Sequence, residues 1–359
     1  MRVLVTGGAG YIGSHTVRAL TRAGHQPLVL DNLVYGHAAI VRDVLAVPLV
    51  VGQVGDRALL DQLLDGSHPA LKGTAFEARP IEAVLHFAAY AYVGESVSDP
   101  ALYYRNNLGD TLTLLEALVQ AKRDQPTGDR APIPIVFSST CATYGVPVQV
   151  PITEDHPQAP INPYGRSKWM VEQLLADFAR AYGLPSVIFR YFNAAGADPA
   201  GDLGENHEPE THLIPLVLDA MSGRRPYLQI FGDDYPTPDG TCIRDYIHVS
   251  DLADAHVLGL ERLLRLKERQ EDKRGPLIYN LGNGTGYSVQ EVIETAKATT
   301  GRGLLAHVAP RRQGDPPQLV AGASLAHSEL GWRPRYPDLA TIIAHAWAWH
   351  QGALGAGKP

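Results

Sequence analysis

One stretch near the start constrains this chain more than any other. Val3-Leu4-Val5 is a β-branched and leucine run that reads as a buried strand, and Gly7, Gly8, Gly10 and Gly13 follow at once. Tyr11 to Ala23 has the length and apolar spacing of a helix, Gly24 stops it, and Pro27-Leu28-Val29-Leu30 reads as the next strand, ending in Asp31. That is one βαβ unit with a glycine-rich first turn. Such a turn lets the backbone approach a pyrophosphate and packs the helix closely on the strand. The helix then points its free N–H groups and its positive dipole end at the phosphates. Gly7, Gly10, Tyr11, Ile12 and Gly13 are therefore candidate cofactor contacts. Asp31 suits a ribose diol, and with Asn32 beside it rather than an arginine it argues for NAD over NADP. A glycine-rich turn that merely packs is the plain alternative; the flanking strands and the acid at the second strand's end disfavour it.

Composition narrows the classes that such a unit could serve. The chain has 359 residues, enough for two lobes, and is 45% apolar. Its net charge of −7 argues against a nucleic-acid or membrane-surface partner. No basic segment followed by an apolar run opens the sequence, and no apolar run spans a bilayer. Cys141 and Cys242 stand alone without metal-type spacing, which predicts a reducing cytoplasm. The 14 histidines read as scattered, so no metal site is expected.

Further along, Val44–Val51 reads as a third strand leading to Gln53 and Val54, and Asp56–Leu64 as a helix. Ala83–Phe87 reads as a fourth strand, and Ala88-Ala89 after Phe87 would let a ligand lie against its end. Pro100–Gln120 reads as one long helix, Ala121–Pro134 as a polar connection, and Ile135–Phe137 as a fifth strand followed by Ser138-Ser139-Thr140. Asn162-Pro163 opens a helix that Gly183 ends. Val187–Tyr191 is a sixth strand. Beyond Asn193 the alternation stops, and Leu266–Gly275 is a charge run read as a solvated helix end or loop. This rhythm predicts an α/β fold: a Rossmann-type doubly wound parallel sheet over residues 1–192 and a smaller C-terminal α/β substrate lobe over 193–359, with some later segments packing back on the first.

Three residues fall where such a sheet places its chemistry. Thr140 follows a strand end, Tyr164 sits in a helix's first turn, and Lys168 lies four residues on, hence on the same face. A phenol is a poor base at neutral pH. A nearby cation favours phenolate. Lys168 supplies one and an oxidised nicotinamide would supply another, so Tyr164 could take a proton from a hydroxyl while hydride leaves the carbon, with Thr140 bonding the same oxygen.

These residues carry a resemblance. Thr6-Gly7-Gly8-Ala9-Gly10-Tyr11-Ile12-Gly13-Ser14-His15 and Tyr164-Gly165-Arg166-Ser167-Lys168 resemble the extended short-chain dehydrogenase/reductase family. Val93-Gly94-Glu95-Ser96-Val97, Arg190-Tyr191-Phe192-Asn193, Arg244–Val249 and Ala309–Asp315 narrow the likeness to its UDP-glucose (UDP-galactose) 4-epimerases, over nearly the whole chain. The resemblance implies tightly held NAD, a UDP-hexose substrate and epimerisation at C4 through a 4-keto sugar. It also implies a homodimer formed through the Pro100–Gln120 and Tyr164–Tyr182 helices. By the same likeness Asn106, Tyr164, Lys168 and Tyr191 would contact NAD. Thr140, Tyr164, Asn193, His212, Leu213, Phe231, Arg244, Arg312, Asp315 and Leu319 would hold the UDP-sugar, and two arginines suit a diphosphate.

Some positions depart from the pattern. Gln53 stands where an acid meets the adenine amine, Ala91 where some members have a lysine, Thr140 for a frequent serine, and His212 for an asparagine. Leu319 lines the sugar pocket at a position that varies in size. A nucleotide-sugar 4,6-dehydratase would need an Asp-Glu pair after the Thr140 position, where Cys141-Ala142 stand. A non-catalytic NAD sensor could dispense with Tyr164 and Lys168, and both are present.

Overall fold

The computed structural model describes residues 1–123, 131–268, 275–312 and 315–355. Gln313-Gly314 and the middles of the Ala121–Pro134 and Leu266–Gly275 stretches lie outside them. In chain order the first elements are β1 (Arg2–Thr6), α1 (Tyr11–Arg22), β2 (Gln26–Asp31), β3 (Leu49–Val51), α2 (Arg57–Asp65) and β4 (Ala83–His86). Short helices α3 (Val93–Ser98) and α4 (Pro100–Tyr103) lead through a π-helical stretch, Tyr104–Asp110, into α5 (Thr111–Arg123). Then come β5 (Ile135–Thr140), α6 (Pro163–Tyr182) and β6 (Ser186–Tyr191).

Strands β1 to β6 form a parallel sheet in the order β6-β5-β4-β1-β2-β3. Strand side chains alternate between faces, and both faces of a parallel sheet are covered, so nearly every position is apolar. Val3, Val5, Leu85, Val136, Val187 and Phe189 enter one core, where Val17 and Leu20 of α1 cover them. Leu4, Val84, Ile135, Phe137 and Ile188 enter the other, beneath Leu60, Leu63, Leu114, Leu118, Val171 and Leu175 of α2, α5 and α6. Each fully buried side chain of this kind contributes about 1.5–3 kcal/mol.

The remaining elements are β7 (Asn193–Ala195), α7 (Leu213–Met221), β8 (Leu228–Phe231), β9 (Ile243–His248), α8 (Val249–Glu268), β10 (Leu277–Leu281), β11 (Gly286–Ser288), α9 (Val289–Thr300), β12 (Ala306–Ala309), β13 (Gln318–Leu319) and α10 (Leu339–Gly355). Two of them return to the first sheet: β10 pairs in parallel with β6 as a seventh strand, and α8 supplies Leu252, Leu260 and Leu263 to the core under α1. The others build a second layer in which β9 is flanked by β7, β11 and β13, while α7, α9 and α10 share a core around Ile342, Ile343 and Val292. No helix among the described residues is long and apolar enough to cross a membrane.

Two element expectations need correction. The strand expected over Val44–Val51 is only Leu49–Val51: Ile40–Val44 winds as a π-helical turn, and Ala46 at φ 53° and Pro48 break the ladder ahead of it. The helix expected over Pro100–Gln120 is interrupted by the Tyr104–Asp110 π stretch. There the Asn107 side chain bonds the Tyr90 backbone through both ends, accepting at 2.9 Å and donating at 3.0 Å, and donates to Ser167 Oγ at 3.1 Å.

Candidate active site

The glycine turn has the geometry that a phosphate ligand requires. Gly7 adopts φ 73°, and a Cβ there would lie 2.6 Å from Ala88 N, so only glycine lets β1 and the end of β4 meet. A Cβ on Gly13 would lie 2.1 Å from Gly7 O. On Gly10 it would have one neighbour, Gly7 O at 3.5 Å, so it would project into the open space above the turn. No side chain caps α1, which leaves its first-turn N–H groups for a ligand. These residues fit a dinucleotide pyrophosphate.

Around this turn the structure gives several expected contacts a first task. Asp31, 6% exposed, accepts from Ala9 N at 2.9 Å and Leu33 N at 2.8 Å, so it braces the turn. A carboxylate has about four acceptor positions, and two remain for a diol. Asn32 Nδ2 donates to Gln53 Oε1 at 3.1 Å, so the two neutral amides hold each other at the strand ends. Val54 is core; Phe87, Ala88 and Ala89 are half-buried at the end of β4. Ile12 packs on the sheet core, and the Tyr11 hydroxyl donates to Gly196 O at 2.7 Å. Asn106 lies in the π stretch, 3.4 Å from Asp110 Oδ2.

At the carboxyl end of β5 the chemical residues converge. Thr140 is the strand's last residue, not the residue after it, because its ladder with β6 continues to Tyr191. Its Oγ1 accepts from Ala142 N at 3.1 Å, capping the turn that follows, and lies beside the Tyr164 phenol. Asn162 caps α6 by accepting from Gly165 N at 2.8 Å, and Pro163 fits the first turn, so Tyr164 and Lys168 are delivered onto one buried face. Lys168, 4% exposed, donates to Ser138 O at 2.9 Å. Tyr191 shares a 2.6 Å hydrogen bond with Ser138 Oγ.

Burial pushes the Tyr164 phenol well above its ordinary value, with Tyr191 adding to the rise and the Thr140 hydroxyl opposing it. Burial pulls Lys168 down to about 7, against the pull of Glu172. The lowering of the phenol by Lys168 is thus not achieved by the polypeptide alone. A dry pocket disfavours both charged forms.

The second layer brings a further set to the same rim. β13 pairs with β9 so that Leu319 stands opposite Arg244. Arg244 is ion-paired with Asp315, and its charge reaches Cys141 beside Thr140. Leu319 packs on the cluster of Cys141, Tyr144, Ile152 and Phe192. Asn193 donates to Asp245 O at 3.0 Å, and the Arg312 guanidinium lies 4.1 Å from the centre of the Phe231 ring. Leu213 opens α7 after His212. Ala91 is exposed.

Two groups escaped the sequence reading. Beneath the site, buried Glu172 pairs with Arg190 at 2.7 Å and accepts from Ser139 and from Gln158 at 2.9 Å, tying α6 to β5 and β6. The signal was there: Glu172 follows Lys168 by four residues on the same helix face. The histidines, read as scattered, are not all so, because His207 and His212 converge with Glu205 and Glu210.

Known proteins resemble this chain over nearly its whole length. The NAD dependent epimerase/dehydratase family matches residues 3–282. The chain is 50% identical to the UDP-glucose 4-epimerase of Halalkalibacterium halodurans, over 98% of this chain and 96% of that one. It is similar to the structure of the UDP-glucose 4-epimerase of Brucella ovis in complex with NAD, at TM-score 0.84 and 48% identity over 96% of this chain and 97% of that one. It is also similar to the Bifidobacterium longum enzyme in complex with NAD+ and UDP, at TM-score 0.85 and 36% identity over 98% of both chains.

Proposed function

Because the chain belongs to the NAD dependent epimerase/dehydratase family, we propose that it interconverts UDP-glucose and UDP-galactose, taking sugar C4 through a ketone and returning it in either configuration. The observation that carries this reading is the burial of Thr140, Tyr164 and Lys168 at the carboxyl end of β5, with Lys168 bonded to Ser138 O there and Tyr164 beside Thr140. The α1 first turn, Asp31, Asn32 and Gln53 would hold the nucleotide end of NAD, and Asn106, Lys168 and Tyr191 its nicotinamide end. When bound, NAD supplies the hydride acceptor and donor at C4 and, oxidised, a positive charge.

The chain's own residues manage the proton. Tyr164 takes it from the sugar 4-hydroxyl and gives it back. The Thr140 hydroxyl, beside the phenol, would bond the same sugar oxygen. Arg244 and Arg312 neutralise the diphosphate, Asp315 aims Arg244, and Asn193, His212, Leu213, Phe231 and Leu319 line the sugar-nucleotide side. In this reading residues 1–192 with β10 and α8 form the NAD half, and the rest of 193–359 the sugar half. We further infer a homodimer through α5 and α6, where Leu112 and Tyr182 are exposed at 37% and 43%. Light scattering on a sizing column tests it, and a mass of one chain would refute it.

The deciding assay mixes purified protein with UDP-galactose and no added NAD. UDP-glucose should appear, and protein denatured afterwards should release NAD. An inert protein carrying NAD refutes the epimerase reading, and an active one without NAD refutes the tight-cofactor reading.

A further inference from the structure

Between β7 and α7, one loop gathers Glu205, His207, Glu210 and His212 in a Glu-x-His-x-x-Glu-x-His pattern. One ligand atom from each lies within 4.8 Å of all the others. His207 Nδ1 stands 3.2 Å from Glu205 Oε1 and 3.8 Å from Glu210 Oε2. His212 Nδ1 stands 3.8 Å from Glu210 Oε1 and touches Glu205 Oε1. In a tetrahedral zinc site with bonds of about 2.0–2.1 Å, ligand atoms sit about 3.3 Å apart. The spacings already bracket that edge.

Ion pairing accounts for His212 more fully than for His207. Glu205 satisfies His212, but His207 Nδ1 is buried with no hydrogen-bond partner. Glu205 and Glu210, with side chains 5% and 12% exposed, face the same two histidines. A divalent cation would take the lone pair of His207 and be met by both carboxylates. The surroundings hold the loop in place for it. Trp349 Nε1 donates to Glu205 O at 3.1 Å, His37 Nε2 lies 3.0 Å from Asn206 O, and Glu210 Oε1 accepts from Thr211 N at 2.7 Å and His212 N at 2.8 Å. The edges of Tyr11 and Tyr92 wall the His207 ring.

We propose that Glu205, His207, Glu210 and His212 form a four-ligand site for a zinc-class divalent cation. All four positions are filled by protein, so the site is structural. It staples the loop that runs from Gly204 to the N-cap of α7, and with it the position of Leu213. The proposal stands on the loop geometry; it assigns the His212 ring to the cation instead of the sugar-nucleotide side and leaves Leu213 as that loop's contribution there.

The test uses the full-length protein with its NAD, stripped with dipicolinate and then titrated with Zn2+ or Co2+. One Zn2+ per chain should stay bound through gel filtration, Co2+ should give the visible absorption of a tetrahedral site, and Zn2+ should raise the melting temperature. His207→Gln and Glu210→Gln should each weaken Zn2+ binding by more than about 100-fold, beyond the loss of an outer-shell partner. NAD retention reports that each variant is folded. No ion retained by the wild-type protein, a Co2+ spectrum of six-coordinate type, or a retained ion indifferent to both substitutions would overturn the site.

Discussion

The two halves of the pocket are assembled by different rules. On the NAD side, Gly7, Gly10, Gly13 and Asp31 fall within one βαβ unit, and the strand pairing that joins them, β1 with β2, is between neighbours in sequence. On the sugar side, Arg244 meets Asp315 across 71 residues, and Leu319 reaches it only because β13 adds to β9 in one register. The first half is a motif that carries its own geometry. The second is a set of remote residues whose meeting depends on how β9 is flanked. Loss of function should therefore be local and steric in one half, and long-range in the other.

The largest break lies where the halves meet. Tyr164→Phe should keep NAD and melting temperature while kcat falls by about 10²–10⁴, the size of a general acid–base contribution. A loss of only a few-fold in steady-state turnover would move the proton elsewhere. Next is the turn itself. Gly13→Ala drives a Cβ onto Gly7 O, and we expect at least about 3 kcal/mol of destabilisation, the top of the overpacking range, with NAD missing from the denatured extract. Asp245→Asn tests the other half. Its carboxylate accepts from Asn283 N, Gly284 N and Ala321 N, tying β9 to two distant loops. An amide must turn its NH2 toward an N–H, which costs about 1–3 kcal/mol. Urea unfolding should show that loss with NAD content unchanged in the surviving folded protein.

Substrate range sharpens the contrast further. In the proposed pocket, forcing an N-acetyl group past Leu319 would cost about 1–3 kcal/mol, or about 5- to 150-fold in rate at 1.4 kcal/mol per decade. Leu319→Ala should raise kcat/KM for UDP-N-acetylglucosamine more than for UDP-glucose, and Leu319→Tyr should suppress it. A ratio that ignores side-chain size would remove Leu319 from the pocket wall.

The smallest effect is on acid stability. Burial pulls His86 down to about 3, with Lys168 adding, and His256 down to about 4. Both are neutral in the fold and take up protons on unfolding. Stability therefore rises with pH between about 4 and 6.5 and is lost as pH falls through that window. His256 Nε2 has no partner, and the ring sits among Phe87, Phe189 and Tyr191. His256→Leu should flatten the melting temperature against pH by up to one proton's slope.

Legibility follows the same divide. The βαβ unit, the six first strands and the capped helix carrying Tyr164 were readable, because caps, glycines and apolar period are local signals. Thr140's last ladder position was missed by a few residues because pairing with β6, not its own propensity, extends the strand. That some later segment packs back on the first lobe was expected, but not that it would be β10: Leu277–Leu281 is an ordinary apolar run, and only β6 makes it a seventh strand. The Glu205–His212 cluster was overlooked because its residues alternate with others along a loop that has no period.

By itself the sequence determined that a dinucleotide turn opens the chain, that Tyr164 and Lys168 share a helix face, and that a parallel sheet underlies both. These follow from bond geometry and from burial over a few residues. The tertiary structure decided the rest. It set the phenol and the ammonium in a space so dry that both lean toward neutrality, gave Asp31 a bracing task, brought Asp315 onto Arg244, and set Leu319 opposite that arginine. Those outcomes depend on desolvation and on contacts between residues far apart in the chain, and neither quantity exists until the chain has closed around them.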